Sequence, residues 1–404
     1  MLTDRRYGGA IATLLGVAMA LFVFTVVVGI LNGTDLVDFE QKVLLTHVHA
    51  GTLGWITLSV FASALWLFGG ADDGLPRPRA PELLAYTAAV AVVLYVVAFL
   101  TTDGWVRPVL GGFVSVVFAA FFGWTVTRKP LQMLSVPQLG FVVALFTSVV
   151  GGVLGTLWGV LIASGYRVQA LPDDGVDAHP AMMVIGFLVP VGAAMAEWWL
   201  LPDLAEEGPS PRSRGGAWQM GLLFAGSLLI MLGLLVSVTP LVILSQPFLI
   251  AAIVLVAVRL WTPARTAESR PTRWWHATLG LAWVVFAIGY TIVLVNLYEG
   301  DFDDAPVRLV LALDHSLFIG AMTNAVLALL IAATIGVRST TVDRVVLWAV
   351  NLGLAGFWLG LVADVSVLKR VSTPIMGAGI LLGLAVAATR LARSRSSPRY
   401  VGGG

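Results

Sequence analysis

Twelve long apolar stretches constrain this chain more than any other feature of its sequence. Each is about 20 residues or longer, which is enough to cross a bilayer as a single helix. Hydrophobic residues make up 58% of the chain and charged residues only 12%. A soluble domain could not hide so much apolar surface from water. The sequence therefore predicts an all-α polytopic membrane protein and excludes a soluble enzyme, a disordered chain and a nucleic-acid-binding protein.

The connections between these stretches are short, and they are either polar or rich in proline and glycine. They leave no room for a soluble domain, so we expect one 12-helix membrane domain at 1–393 and a flexible cytoplasmic tail at 394–404. The opening MLTDRRYGGA lacks a small-residue cleavage site and is interpreted as leading into the first span. The predicted spans are 8–32, 43–69, 82–101, 106–127, 136–164, 178–201, 216–237, 241–261, 273–297, 307–336, 342–364 and 371–393.

Basic residues indicate the orientation of these spans. With the N-terminus in the cytoplasm, 18 lysines and arginines fall on the cytoplasmic side and 6 on the outer side. An excess of basic residues marks cytoplasmic loops. We therefore expect a multi-pass plasma-membrane protein in contact with membrane lipid, with both termini cytoplasmic and no nucleic-acid partner.

Four of the five histidines are predicted near the outer face. His47 and His49 lie near the outer end of the second span, His179 opens the sixth, and His315 lies about two turns inside the tenth. His47 and His179 are 132 residues apart, and His179 and His315 are 136 apart, so each interval covers four spans. This spacing predicts three four-helix units in a pseudo-threefold arrangement.

Histidine within a span is unusual and often functional. Imidazole is the commonest metal ligand and an axial ligand of haem iron, while the absence of cysteine excludes thiolate metal sites and covalent haem attachment. His47 and His49 point about 200° apart on a helix. The pair therefore suits two neighbours on opposite sides of the helix, or one ligand and one bystander.

Structural interpretations of the histidines remain open. His179 could be an interfacial residue, and His315 could serve only a structural hydrogen bond. His276 lies beside Trp274 and Trp275 at the cytoplasmic end of the ninth span, and we interpret it as an interfacial residue.

Together, these features resemble the catalytic subunit of the haem–copper oxidases, subunit I, over the whole membrane core. HVHAGTLGW at 47–55 resembles the HxHSGALGW segment of C-type oxidases, which lies on the tenth helix there. His179-Pro180 resembles the start of the HPEVY motif on the sixth helix. Lys369-Arg370 resembles the basic pair that holds haem propionates, although it could instead be an ordinary membrane-end anchor.

The resemblance implies a cytochrome oxidase subunit I-like fold and a low-spin haem b held between the second and tenth helices. His315 would be one axial ligand and His47 or His49 the other, with His49 favoured for its depth. His179 would correspond to a copper ligand. A second haem would pair the remaining histidine of the second span with His179.

The departures from the family argue against a complete oxidase. The outer end of the seventh span, LLVSVTP, lacks the family's adjacent histidines, and the eighth lacks a lysine. HPEVY becomes HPAMM, so Ala181 and Met183 replace the glutamate and the tyrosine, and Leu313 precedes His315 where a second haem ligand would stand. Because firm copper binding needs about three nitrogens, we expect less than one tightly bound copper per chain.

The sequence therefore predicts a membrane b-type haem protein with one or two haems, acting in electron transfer or in binding a small gas such as nitric oxide or dioxygen. Its electron donor would be a quinol or a cytochrome. Two other functions remain open, a cofactor-free assembly partner and a 12-span secondary transporter. The transporter would use buried polar residues along a path: Asn296, Asn324, Asn351, Asp314 and Asp364.

Overall fold

Twelve helices long and apolar enough to cross a membrane occur among the described residues, as predicted. The computed structural model describes residues 2, 5–70, 78–165, 173–201, 214–266, 270–300, 304–335 and 338–396. Predicted and observed boundaries differ by at most five residues. The helices are α1 Gly8–Gly33, α2 Gln41–Gly69, α3 Ala80–Thr101, α4 Val106–Val126, α5 Val136–Ala163, α6 Gly175–Leu200, α7 Arg214–Leu235, α8 Thr239–Arg265, α9 Thr272–Leu297, α10 Val307–Thr334, α11 Thr341–Val362 and α12 Ser366–Arg393.

Local sequence fixes where several of these helices begin. Helix α5 starts with a capping box, in which the Gln138 N–H donates to Ser135 Oγ and the Ser135 N–H donates to Gln138 Oε1 at 3.1 Å. Thr340 and Asp343 form the same box at the start of α11. Each box satisfies backbone N–H groups that a helix start leaves without a partner.

Four helices end in the same tight turn. A residue with positive φ follows each helix by one or two positions, and the next N–H bonds back to a carbonyl in the last turn, as in a Schellman motif. Because this turn reverses the chain within a few residues, each of these helices is followed closely by the next span. The positive-φ residues are Asp35, Ser237, Glu299 and Asp364.

Three of the helices form an inner layer. In α2, α6 and α10, 89%, 83% and 94% of the most apolar window is buried, against 33–50% in the other nine helices. Those nine form a closed ring in which each contacts the next, in the order α1, α3, α4, α5, α7, α8, α9, α11, α12 and back to α1. The helices that carry the four predicted outer histidines are therefore the ones most enclosed by protein.

The end of the bundle where α1 finishes and α2 begins is called the histidine end below, and the other is the opposite end. Helix α12 finishes at the opposite end and continues to Ser396. Residues 394–396, which we expected to belong to a flexible tail, are therefore helical. Residues 397–404 lie outside the described residues.

Candidate functional site

Each inner helix changes to π-helical winding just after its histidines. The π-segment begins one residue after His49 in α2 and His315 in α10, and three residues after His179 in α6. The π-segments are Ala50–Thr57, Met182–Leu188 and Ser316–Thr323. Such segments are rare and are frequent at functional sites. Their occurrence at corresponding places in α2, α6 and α10 gives a common reference point for comparing the three helices.

A glycine occupies the fifth position of every π-segment, at Gly54, Gly186 and Gly320. A Cβ on each would lie 2.5–3.1 Å from a side chain of the preceding ring helix, namely Leu21 of α1, Thr147 of α5 and Trp283 of α9 respectively. The three inner helices thus approach their preceding neighbours closely at the same point. These glycines are required for helix packing.

Counting back from these glycines aligns the histidines. Seven residues before the glycine stand His47, His179 and Leu313, and five residues before it stand His49, Ala181 and His315. The four histidines therefore occupy only two kinds of position, and each kind has its own set of contacts.

His47 and His179 both bind to the preceding ring helix. The His47 Nδ1–H donates to the Thr25 carbonyl of α1 at 2.8 Å, and the His179 Nδ1–H donates to the Gly151 carbonyl of α5 at 2.7 Å. Four residues beyond each acceptor lies a glycine, Gly29 or Gly155, against which the ring packs. A Cβ there would lie 3.2 Å from His47 Cε1 and 2.6 Å from His179 Cε1.

His49 and His315 bind instead to their own helices. Each donates its Nδ1–H to the carbonyl four residues earlier, to Leu45 at 2.7 Å and to Leu311 at 2.8 Å. Each ring also contacts an aromatic ring of the following ring helix. The centroid distances are 4.2 Å from His49 to Phe99 of α3 and 4.9 Å from His315 to Phe357 of α11.

All four imidazoles share one protonation pattern. Because a carbonyl only accepts hydrogen bonds, Nδ1 must carry the proton, and Nε2 keeps its lone pair in the neutral ring. Among the described residues none of the four Nε2 atoms has a hydrogen-bond partner, and all four side chains are only half-buried. An Nδ1–H bonded to a carbonyl, with Nε2 free, is the arrangement of a metal-ligating histidine.

The four histidines are arranged as two pairs. His47 packs on α1 and His315 on α11, which are the two ring helices that contact α12. His49 packs on α3 and His179 on α5, which are the two that contact α4. This favours His47 as the partner of His315, instead of His49, which was expected from its depth. The described residues contain no group of three or more histidine, aspartate or glutamate side chains that could together hold a metal ion.

The basic pair at the start of α12 already has an acidic partner. Lys369 Nζ and Arg370 Nε donate to the two carboxylate oxygens of Asp35 at 2.8 and 2.7 Å. These hydrogen bonds, that from Lys369 first, hold the pKa of Asp35 below its usual value. Thr373, one turn along α12, packs on Gly33 of α1. Gly33 lies one turn along α1 from Gly29, which contacts the His47 ring, so α1 connects the basic pair to the His47 contact.

The sequence did not identify Arg107, near the start of α4. Its guanidinium lies 4.6 Å from the centre of the Phe99 ring, the ring that stacks on His49. Arg107 also binds Asp103 at 2.8 Å, and its buried Nε has no partner. Its position in the sequence could have identified it. A basic residue lies in the first turn of both α4 and α12, and these are the fourth helices of the first and third predicted four-helix units.

His276 does not lie at an interface, so that prediction is wrong. Its side chain is fully buried, and its Nδ1–H donates to Asn324 Oδ1 at 2.7 Å. Asn324 and Asn351 also bond to each other, while Asn296 bonds to Gln246 and Asp364 lies 3.8 Å from Arg308. Of the residues that could line a path in a transporter, Asn324 and Asn351 thus bond to each other, whereas Asn296 and Asp364 each contact a different residue.

No protein-family model matches this chain, and no curated protein matches its sequence.

Proposed function

We propose that this chain is an integral membrane b-type haem protein that acts in electron transfer, with a haem between α2 and α10 whose axial ligands are His47 and His315. The observation that carries the proposal is the shared state of these two imidazoles. Each has Nδ1–H held by a backbone carbonyl and Nε2 without a partner among the described residues, and the two pack on the ring helices α1 and α11, which both contact α12.

The protein would position both ligands before the haem binds. The Thr25 carbonyl and the surface at Gly29 fix the His47 ring, and the Leu311 carbonyl and Phe357 fix the His315 ring. A carbonyl bonded to Nδ1–H also makes Nε2 more basic and so a stronger iron ligand. Two turns further along α2, Trp55 Nε1 donates to Thr323 Oγ1 of α10 at 3.0 Å, which fixes the spacing of the two helices.

A haem iron with two imidazole ligands supplies one-electron redox chemistry and has no open coordination position. This favours electron transfer over gas binding, which would need one imidazole to leave. Lys369 and Arg370 would bind the propionates at the rim, in competition with Asp35. The donor would be a quinol or a cytochrome, and the N-terminus would be cytoplasmic.

The scaffold proposed is a pseudo-threefold arrangement of four-helix units resembling oxidase subunit I. Three observations support it: the inner position of α2, α6 and α10, the ring order of the other nine helices, and the matching π-segments. In α6 and α10, one of the two aligned histidine positions holds another residue, Ala181 in α6 and Leu313 in α10. This incomplete set of histidines argues against oxygen reduction with proton pumping.

The test is a spectrum of the full-length protein, purified in detergent from haem-replete cells. We expect a b-type reduced-minus-oxidised difference spectrum and a pyridine haemochrome of haem b. A colourless preparation from such cells would overturn the proposal and would favour the transporter or the assembly partner.

A further inference from the structure

We infer that the chain has a second haem site, between α2 and α6, with His49 and His179 as axial ligands and Arg107 at its rim. This inference rests on the proposed function and adds a site to it. His49 packs on α3 and His179 on α5, the two ring helices that contact α4, and neither Nε2 has a hydrogen-bond partner among the described residues.

The surroundings of this pair are built from three ring helices. Phe99 of α3 stacks on the His49 ring at 4.2 Å, and Tyr95 approaches the same ring edge-on at 5.6 Å. On the other side, Gly155 of α5 provides the space that the His179 ring occupies. The His49 ring thus packs against aromatic rings, and the His179 ring packs against the backbone at Gly155. In both rings Nδ1 is hydrogen-bonded and Nε2 has no partner among the described residues.

Arg107 supplies the positive charge that a haem edge needs. Haem carries two carboxylates, and the guanidinium group of arginine binds carboxylates through charge-assisted, often bidentate hydrogen bonds. Arg107 lies near the start of α4, over the Phe99 ring, and retains a buried Nε without a partner. Arg107 and the pair Lys369-Arg370 thus each lie in the first turn of a ring helix, α4 or α12, that contacts both of the ring helices on which the corresponding histidines pack.

The third interface between inner helices is an internal control. Between α6 and α10, the corresponding positions are Ala181 and Leu313, neither of which can bind iron. The ring helix that corresponds to α4 and α12 is α8, which begins TPLVIL without a basic residue. Histidines and rim cations are thus present together at two interfaces and absent together at the third, as expected if they serve one ligand.

The test is the number of haems in the full-length protein, measured as pyridine haemochrome against amino-acid analysis. We expect two haems per chain. One haem per chain would overturn the second site and leave the proposed function standing, whereas none would overturn both.

Variants assign the two haems to their ligands. We expect His49→Ala and His179→Ala each to retain one haem, which is then lost when His315→Ala is added. The matched control His276→Ala should retain two. Retention of two haems in His179→Ala would overturn the second site.

A conservative variant keeps the test valid if the alanine variants do not fold. His179→Met retains a side chain that can ligate iron, and replacing one imidazole by a thioether raises the reduction potential of a haem. We expect a redox titration with two steps, one of them shifted upward and the other unchanged. Two steps at their original potentials would overturn the assignment.

Discussion

The histidines at the two ends of the bundle differ in what surrounds their free nitrogen. At the histidine end, each Nδ1–H is held by a backbone carbonyl, and each Nε2 belongs to a half-buried ring. At the opposite end, His276 is fully buried, its Nδ1–H is held by the Asn324 side chain, and its Nε2 is enclosed without a partner. We therefore interpret a free imidazole nitrogen as a candidate ligand in the half-buried rings of the histidine end, and as part of a buried polar cluster at His276.

The surroundings of His276 serve packing instead. Its side chain lines a small cavity together with Thr334 and with the ion pair of Asp343 and Arg390, whose shortest distance is 2.7 Å. One water molecule in this cavity would satisfy the enclosed Nε2. The opposite end is thus held by buried polar contacts between helices, among them the Asp343–Arg390 ion pair and the hydrogen bond from His276 to Asn324.

The largest expected difference between the two ends is in haem content. His315→Ala removes an axial ligand of the proposed site, and we expect the variant to lose one haem per chain. His276→Ala removes an imidazole of equal size that has no access to a haem, and we expect full haem content. Equal losses in the two variants, measured by pyridine haemochrome, would contradict the distinction between the ends.

The next largest effect is on stability at the opposite end. Arg259 of α8 binds both carboxylate oxygens of Glu197 in α6 at 2.6 and 3.0 Å, and it also bonds to Gln219 of α7. The Glu197 side chain is 5% exposed. Breaking a buried pair leaves a buried charge without a partner, which costs about 3–5 kcal/mol.

Arg259→Met should therefore lower the free energy of unfolding by about that amount, measured by denaturation in detergent. The haem content of the protein that remains folded should not change. The double variant Arg259→Met with Glu197→Leu removes both charges and should recover most of the loss. A single variant as stable as the wild type would show that the pair does not hold this end together.

A smaller effect distinguishes the two histidines that bind the preceding ring helix. Gly155→Ala places a Cβ 2.6 Å from His179 Cε1, whereas Gly29→Ala places one 3.2 Å from His47 Cε1. The hydrogen bond from His179 to Gly151 prevents its ring from moving away freely. Overpacking costs roughly 1–3 kcal/mol, so we expect haem to dissociate about tenfold faster or more from Gly155→Ala.

Gly29→Ala should have a weaker effect, confined to the other haem. Gly16→Ala is the control, since a Cβ at Gly16 meets nothing within 4 Å. Haem transfer to an excess of a haem-binding acceptor protein measures the dissociation rates. The same rate in all three variants would contradict the inferred ring positions.

The sequence predicted the spans closely but predicted the contacts of the histidines only in part. A bilayer requires about 20 apolar residues per crossing, and this requirement locates helices without any tertiary information. The span assignment placed the histidines on α2, α6 and α10, but the inner position of these helices became apparent only from the structure. Which histidine faces which helix depends on the π-segments and on Gly29 and Gly155, and hydropathy carries no information about either.

Two other residues show the same limit. The tryptophans beside His276 indicated an interface, but its partner Asn324 comes from another helix, 48 residues away in sequence. Arg107 is a single basic residue near a span end, and such residues are common as membrane anchors. Only its position over Phe99, beside His49, distinguishes it from them.

The smallest expected effect concerns an exposed ion cluster, in contrast with the buried pair of Glu197 and Arg259. Asp35 binds Lys369 and Arg370 at the histidine end, with its side chain 38% exposed. These bonds, that from Lys369 first, lower the pKa of Asp35 in the folded state. Their contribution to stability is therefore fully present above the pKa of the unfolded chain, near 3.9, and is lost as the pH falls through the folded value.

Asp35→Asn should therefore cost at most about 1 kcal/mol at neutral pH, because solvent weakens exposed pairs. Its stability should also fall less than that of the wild type when the pH is lowered from about 7 to 3, since the group that titrates in this window is gone. Denaturation of both proteins in detergent at the two pH values gives the comparison, and high salt should reduce the difference. An equal pH dependence in the two proteins would show that Asp35 binds the basic pair without stabilising the fold.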